Sequence, residues 1–177
     1  VQDGYVDALG GPLSTGKEAN VYTALGGDRA REDLGLPPGE NPEVAVKVYR
    51  ISASNFQDMR GYLEGDPRFE GIGSETNKVV QAWVRKEFAN LERAMAAGVP
   101  VPHPLAVERN AMVMEYIGTA DGRAKRLSEV AVENPETAYE VLREYMRRLH
   151  EAGLVHGDLS EYNVVFHEGT LVVIDMG

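Results

Sequence analysis

The chain has 177 residues, 28 acidic against 18 basic side chains for a net charge of −10, and 43% hydrophobic residues, which suits one domain, or one domain in two lobes, with a real core. It has no cysteine, which excludes disulfides, thiolate zinc sites, iron–sulfur clusters and a cysteine nucleophile. No apolar run reaches the roughly 18 residues of a membrane span, residues 1–7 lack a signal-peptide pattern, and the acidic balance argues against nucleic-acid binding over the whole surface. The expectation is a soluble, cytoplasmic protein with no membrane partner. The basic residues are 5 Lys against 13 Arg, as either a high-salt cytoplasm or a GC-rich genome would produce.

Residues 8–25, ALGGPLSTGKEANVYTAL, read as two strands around a Gly-containing loop. Residues 26–42 are polar and rich in Gly and Pro, a surface connection. Residues 44–49 form a third strand, with Val44, Val46 and Val48 on one face and Ala45, Lys47 and Tyr49 on the other. Residues 51–77 read as irregular, broken by Gly65-Asp66-Pro67 and Gly71-Ile72-Gly73. A helix over about 78–97 has Val80, Trp83, Val84, Glu87, Phe88, Leu91 and Met95 as its inward stripe, and Gly98 then Pro100 end it.

Residues 99–104, VPVPHP, are too proline-rich for a helix or central strand. Residues 105–108 and 111–114 predict a hairpin across Arg109-Asn110. A second helix over 135–152 has Asn134 as N-cap, Pro135 in its first turn, and Val141, Leu142, Tyr145, Met146 and Leu149 as its buried stripe. Val164–Phe166 and Leu171–Ile174 predict a last hairpin. Antiparallel strands first and helices later make an α+β chain rather than a βαβ repeat.

Gly11-x-x-x-x-Gly16-Lys17 matches most of a Walker A loop, but Glu18 stands where Ser or Thr should hold Mg²⁺, and strand-forming residues follow. The alternative is a strand–loop–strand cover over a nucleotide. Backbone amides around Gly16 would approach phosphates, and Ser14 and Lys17 would add direct contacts. Lys47, in mid-strand, needs an anion if its face meets a cleft, and Glu87 on the next helix can supply one. The competing reading is a snorkelling lysine on an edge strand. His150 and His156 stand six apart across the helix-breaking Gly153, so they do not read as a zinc pair.

The strongest signal is His156-Gly157-Asp158-Leu159-Ser160-Glu161-Tyr162-Asn163, then Ile174-Asp175 after a hairpin. Phosphoryl transfer needs a carboxylate to orient the acceptor hydroxyl and oxygen ligands for Mg²⁺. Asp158 fits the first role, and Asn163 and Asp175 fit the second. Asp-x-x-x-x-Asn, a hairpin and Asp is the protein-kinase-like order. Met112–Gly118 is then a strand running into a hinge, where backbone groups of Glu115 and Ile117 would bond the adenine edge. Nucleotide is expected between residues 14–22 and 114–117, Met114 included, with Val21, Ala45 and Ile174 lining the adenine pocket.

Ser14-Thr15-Gly16-Lys17-Glu18-Ala19-Asn20-Val21-Tyr22, the His156–Asn163 loop and Ile174-Asp175 resemble the RIO family of atypical protein kinases. The first of these and Trp83-Val84-Arg85-Lys86-Glu87 resemble its type-one branch. The resemblance runs from Leu13 onward. It implies one kinase domain over 1–177, with an antiparallel-sheet N-lobe to about 114, a hinge at about 115–118 and a partial helical C-lobe over about 119–177, truncated at its C-terminus.

It also implies ATP and Mg²⁺ as cofactors and serine phosphorylation of a protein substrate or of itself. The pre-small-ribosomal-subunit particle would be its partner. Ser14 and Lys17 would touch phosphates, Lys47 would pair with Glu87, Asp158 would be catalytic, and Asn163 and Asp175 would hold metal. The family further resembles an ATPase switch in which the aspartate matching Asp175 takes up phosphate. Competing readings are a small-molecule or tRNA-modification-associated kinase of the same fold, and a non-catalytic nucleotide-binding module on a pre-ribosome.

Overall fold

The computed structural model of the chain describes residues 3–51 and 76–177, so most of the expected irregular stretch 51–77 lies outside the described residues, and its last two residues, Thr76 and Asn77, instead open a helix. By contacts the chain divides into two compact units, Val1–Phe88 with Pro104–Tyr116 and Gly177, and Ala89–His103 with Ile117–Met176.

The first unit is built on a five-stranded antiparallel sheet of β1 (Val6–Thr15), β2 (Ala19–Gly26), β3 (Glu43–Tyr49), β4 (Pro104–Glu108) and β5 (Ala111–Glu115), in the order β1-β2-β3-β5-β4. Valine-rich β3 is therefore central, with β2 and β5 on its two sides. Pro104 opens an edge strand, where a missing N–H costs no ladder bond. The alternation of β3 is the expected one. Val44, Val46 and Val48 join Val6, Ala24, Leu105 and Val113 in one core on one face of the sheet. Burying each such side chain contributes about 1.5–3 kcal/mol.

That core is closed by Ala30 and Leu34, from and just beyond a short helix, α1 (Asp28–Asp33). α1 interrupts the stretch read as loop throughout. Six residues flanked by Gly and Pro give too little periodicity to see it.

The helix α2 (Thr76–Ala96) is buried at Val79, Val80, Ala82, Trp83, Val84, Glu87, Asn90, Leu91 and Ala94. The expected stripe holds at Val80, Trp83, Val84, Glu87 and Leu91, but Met95 is exposed and Ala94 takes its place. Gly98 ends the helix at φ +78°, a left-handed turn that glycine adopts without a Cβ clash.

In the second unit, α3 (Pro135–Glu151) starts as expected, with Asn134 Oδ1 accepting from the Thr137 amide at 3.2 Å. Gly153 closes it at φ +74°. Its buried face is narrower than the stripe suggests. Tyr145 and Leu149 are buried, whereas Met146 is exposed. The last hairpin, β9 (Val164–His167) with β10 (Thr170–Val173), turns through Glu168 and Gly169, both at positive φ. It gains a third strand absent from the sequence reading, β8 (Lys125–Arg126), beside β9. A further small hairpin joins β6 (Gly118–Thr119) and β7 (Gly122–Arg123). Two-residue ladders have no period to read, so sequence patterning misses them.

Residues 89–103 group with the second unit although they precede β4. Asn90 Nδ2 donates to Met176 O at 2.9 Å, Arg93 Nη2 donates to Ala152 O, Arg148 Nη1 donates to Gly98 O at 2.7 Å, and Val173 N donates to Pro100 O at 2.9 Å. No helix among the described residues is long and apolar enough to cross a membrane.

Candidate active site

The first unit carries its candidates on the sheet face opposite the valine core. Residues directly across antiparallel strands share a face. The register sets Ser14 against Val21, Val21 against Lys47 and Lys47 against Met112, a row across four strands. The adjacent row is Thr23, Ala45 and Met114. Ser14, Val21, Ala45, Lys47 and Met114 thus stand on one face. Glu115 closes β5 at its register with Val44.

Lys47 is a central-strand residue, which removes the edge-strand reading. Its Nζ lies 2.8 Å from Glu87 Oε1, with the side chains 12% and 2% exposed. The ammonium also lies 5.1 Å from the Tyr49 ring centroid, within cation–π range. Glu87 is held on the stretch of α2 that belongs to this unit. The result is a fixed cation at the middle of the face, where a polyanion can be bound.

Gly16 has a structural reason of its own. Its amide donates to Ala19 O at 2.8 Å, and a Cβ there would stand 3.1 Å from that oxygen. The amide is thus spent on closing the turn between β1 and β2. Lys17 follows in the same turn. Arg50 braces it, with its amide on Glu18 O at 2.8 Å and Nη2 on Asn20 Oδ1 at 2.7 Å. Neither Arg50 nor Asn20 was singled out from the sequence, and only proximity in the fold reveals them.

The second unit gathers Asp158, Asn163 and Asp175. The hairpin does this by its register. Val164 pairs with Val173, so Asn163 and Ile174 flank the open end, and Ile174 N donates to Asn163 O at 2.9 Å. Asp175 is next in the chain, with φ +67°. Asn163 Nδ2 donates to Asp158 O at 2.7 Å and stands 3.4 Å from Asp158 Oδ2. Asn163 N donates to Ser160 O at 3.0 Å, which closes the loop between them.

His156 supports the loop from the other side. Its Nδ1 accepts from the Asp158 amide at 3.2 Å. A neutral ring then carries its proton on Nε2, which faces Ile174 O at 3.5 Å. Its place in the loop two residues before Asp158 was the only sequence sign of this role. Ile117 and Ile174 both pack against the core of Ala124, Val165 and Val172.

These residues fit a hard divalent cation. With its amide nitrogen committed to Asp158 O, Asn163 keeps Oδ1 as an acceptor, and the exposed Asp175 adds a carboxylate. Mg²⁺ is held by one or two such oxygens plus phosphates and waters rather than by an all-protein cage. Among the described residues no group of three His, Cys, Asp or Glu could hold a metal ion, which is compatible with a two-oxygen set of this kind.

A family model described as the RIO domain matches residues 20–177. The chain belongs to this family. It is 68% identical over all 177 residues to the RIO-type serine/threonine-protein kinase Rio1 of Haloferax volcanii, of which it covers 57%. It is 44% identical over 124 residues to the protein of the same description from Thermoplasma acidophilum, covering 70% of this chain and 66% of that one. To the serine/threonine-protein kinase RIO1 of Chaetomium thermophilum it is 40% identical, over 97% of this chain and 34% of the relative.

Among solved structures, the Rio2 kinase–ADP/Mg²⁺–phosphoaspartate complex from Chaetomium thermophilum superposes with a TM-score of 0.70 at 21% identity, over 99% of this chain and 49% of that one. The fold is the α+β kinase-like fold of the RIO family. The RIO match separates the chain from the small-molecule kinase reading.

Proposed function

We propose that the protein is an ATP- and Mg²⁺-dependent serine/threonine kinase that phosphorylates itself or a protein partner. The observation that carries this is the closed Asp158–Asn163 loop with Asp175 beside its hairpin in one unit, and the other unit separately carries the Lys47–Glu87 pair. The names of its relatives support the reading. Because the chain spans 57% of the Haloferax relative, the activity belongs to the whole protein.

In this reading Lys47, held by Glu87, positions the phosphates, and Ser14 and Lys17 add contacts from the β1–β2 turn. Val21, Ala45, Met114, Glu115, Ile117 and Ile174 receive the adenine. Asp158 accepts the proton of the acceptor hydroxyl as its oxygen bonds to the γ-phosphorus and the bond from phosphorus to the ADP oxygen breaks. Asn163 and Asp175 would hold Mg²⁺, which would supply neutralisation of the phosphate charge.

Asp175 is also the candidate acceptor in an ATPase cycle, a reading supported by the phosphoaspartate in the Rio2 complex of the same fold. We place the protein in the cytoplasm, acting on the pre-small-ribosomal-subunit particle, with no membrane partner. The test is intact-protein mass of the full-length chain with and without ATP·Mg²⁺, paired with phosphate release. A gain of one phosphate, or steady release, supports the proposal. Neither one occurring would leave a nucleotide-binding module.

A further inference from the structure

We infer that Asn90 is a positioning residue that holds Asp175 in its metal-binding conformation, an inference that rests on Asp175 being a Mg²⁺ ligand. Three non-glycine residues among those described have positive φ: Arg109, Glu168 and Asp175. Arg109 and Glu168 sit in two-residue hairpin turns, where such angles are expected. Asp175 does not. A left-handed non-glycine residue persists only where its surroundings over-determine it.

The surroundings do so from both sides. Before Asp175, Ile174 N is bonded to Asn163 O at 2.9 Å. After it, Met176 is 3% exposed, and its carbonyl accepts from Asn90 Nδ2 at 2.9 Å. The chain is therefore tied one peptide unit before and one peptide unit after the pair that flanks Asp175, and the Asp175 side chain between these ties is exposed.

Asn90 is costly where it stands. It is 7% exposed on a helix whose neighbouring inward positions are Leu91 and Ala94. A buried amide is tolerated when hydrogen-bonded, and an apolar residue there would serve packing better. Its bond to Met176 O is the return, since that carbonyl would otherwise be buried without this donor.

The test measures ADP affinity by calorimetry with and without Mg²⁺, on full-length wild type, Asn90→Leu, Asn90→Ala and Asp175→Asn. Cooperative thermal unfolding selects the variants that fold. We expect metal-free ADP affinity within about 2-fold of wild type, and the Mg²⁺-dependent gain in affinity reduced about 5-fold or more, in Asn90→Leu and Asn90→Ala. Asn90→Ser, which keeps a donor, should fall between them and wild type. A residue needed only for packing would leave that gain untouched. If Asp175→Asn loses the gain while a folded Leu or Ala variant keeps it in full, the inference is overturned and the metal reading stands. If Asp175→Asn keeps the gain, the metal reading itself falls, and the role of Asn90 with it.

Discussion

Lys47 Nζ stands 2.8 Å from Glu87 Oε1, forty residues away in sequence, with both side chains largely withdrawn from water. A pair of this kind barely repays its desolvation, but removing one partner strands the other charge at a cost of about 3–5 kcal/mol. The pair is better understood as setting the position of a cation than as a source of stability.

Lys47→Ala should therefore lower stability on that scale and abolish phosphoryl transfer. Lys47→Met with Glu87→Gln should recover much of the stability and none of the activity. Urea unfolding and ATP turnover read the two effects apart. Near-normal turnover in Lys47→Ala would remove the lysine from the site.

The two aspartates should separate binding from chemistry. Asp158→Ala should leave Mg·ATP affinity largely intact while turnover falls about 10²-fold or more, the scale of a general base. Asp175→Ala should weaken both. Calorimetry and phosphate release on the full-length chain are the measurements, and equal Mg·ATP binding by both variants would misplace the metal. If Asp175 is the phosphate acceptor, hydroxylamine should remove the adduct, while a phosphoserine should resist it.

Tyr145 Oη donates to Leu171 O at 2.9 Å in the buried contact between α3 and β10, and burial raises its phenol pKa. Tyr145→Phe keeps the ring and leaves that carbonyl without its donor. The expected loss is about 1–3 kcal/mol, read as a lower urea midpoint. No change in midpoint would mean that water replaces the hydroxyl.

Glu129 accepts from Arg123 and from the Arg126 amide, which lowers its pKa from 4.5 to about 2. Glu144 is lowered to about 2 by Arg147 and Arg148. A carboxylate depressed by folding contributes stability above its unfolded value, and this is lost as pH falls through its folded value. These two contributions should be complete above about pH 4.5 and fade toward pH 2. Carboxyl chemical shifts should titrate near 2 in the folded protein, and a midpoint near 4.5 would show that the arginine contacts do not persist in solution.

What the sequence determined by itself was local. The period of β3, the Asn134 cap, the glycines closing α2 and α3, and the spacing from Asp158 through Asn163 to Asp175 are set by a few neighbouring residues, and each stands where its pattern indicates. The tertiary structure decided what depends on distant partners. Lys47 became a central-strand residue because β2 and β5 take its two sides. Met95 and Met146 were left exposed although periodicity turned them inward, because burial depends on whether another element covers that face. The braces at His156, Arg50 and Asn90 join groups far apart in the chain or hidden within a turn, so no periodicity shows which partners they take. Short-range preferences of backbone and side chain are written in consecutive residues. The pairing of buried polar groups exists only once the chain has closed on itself.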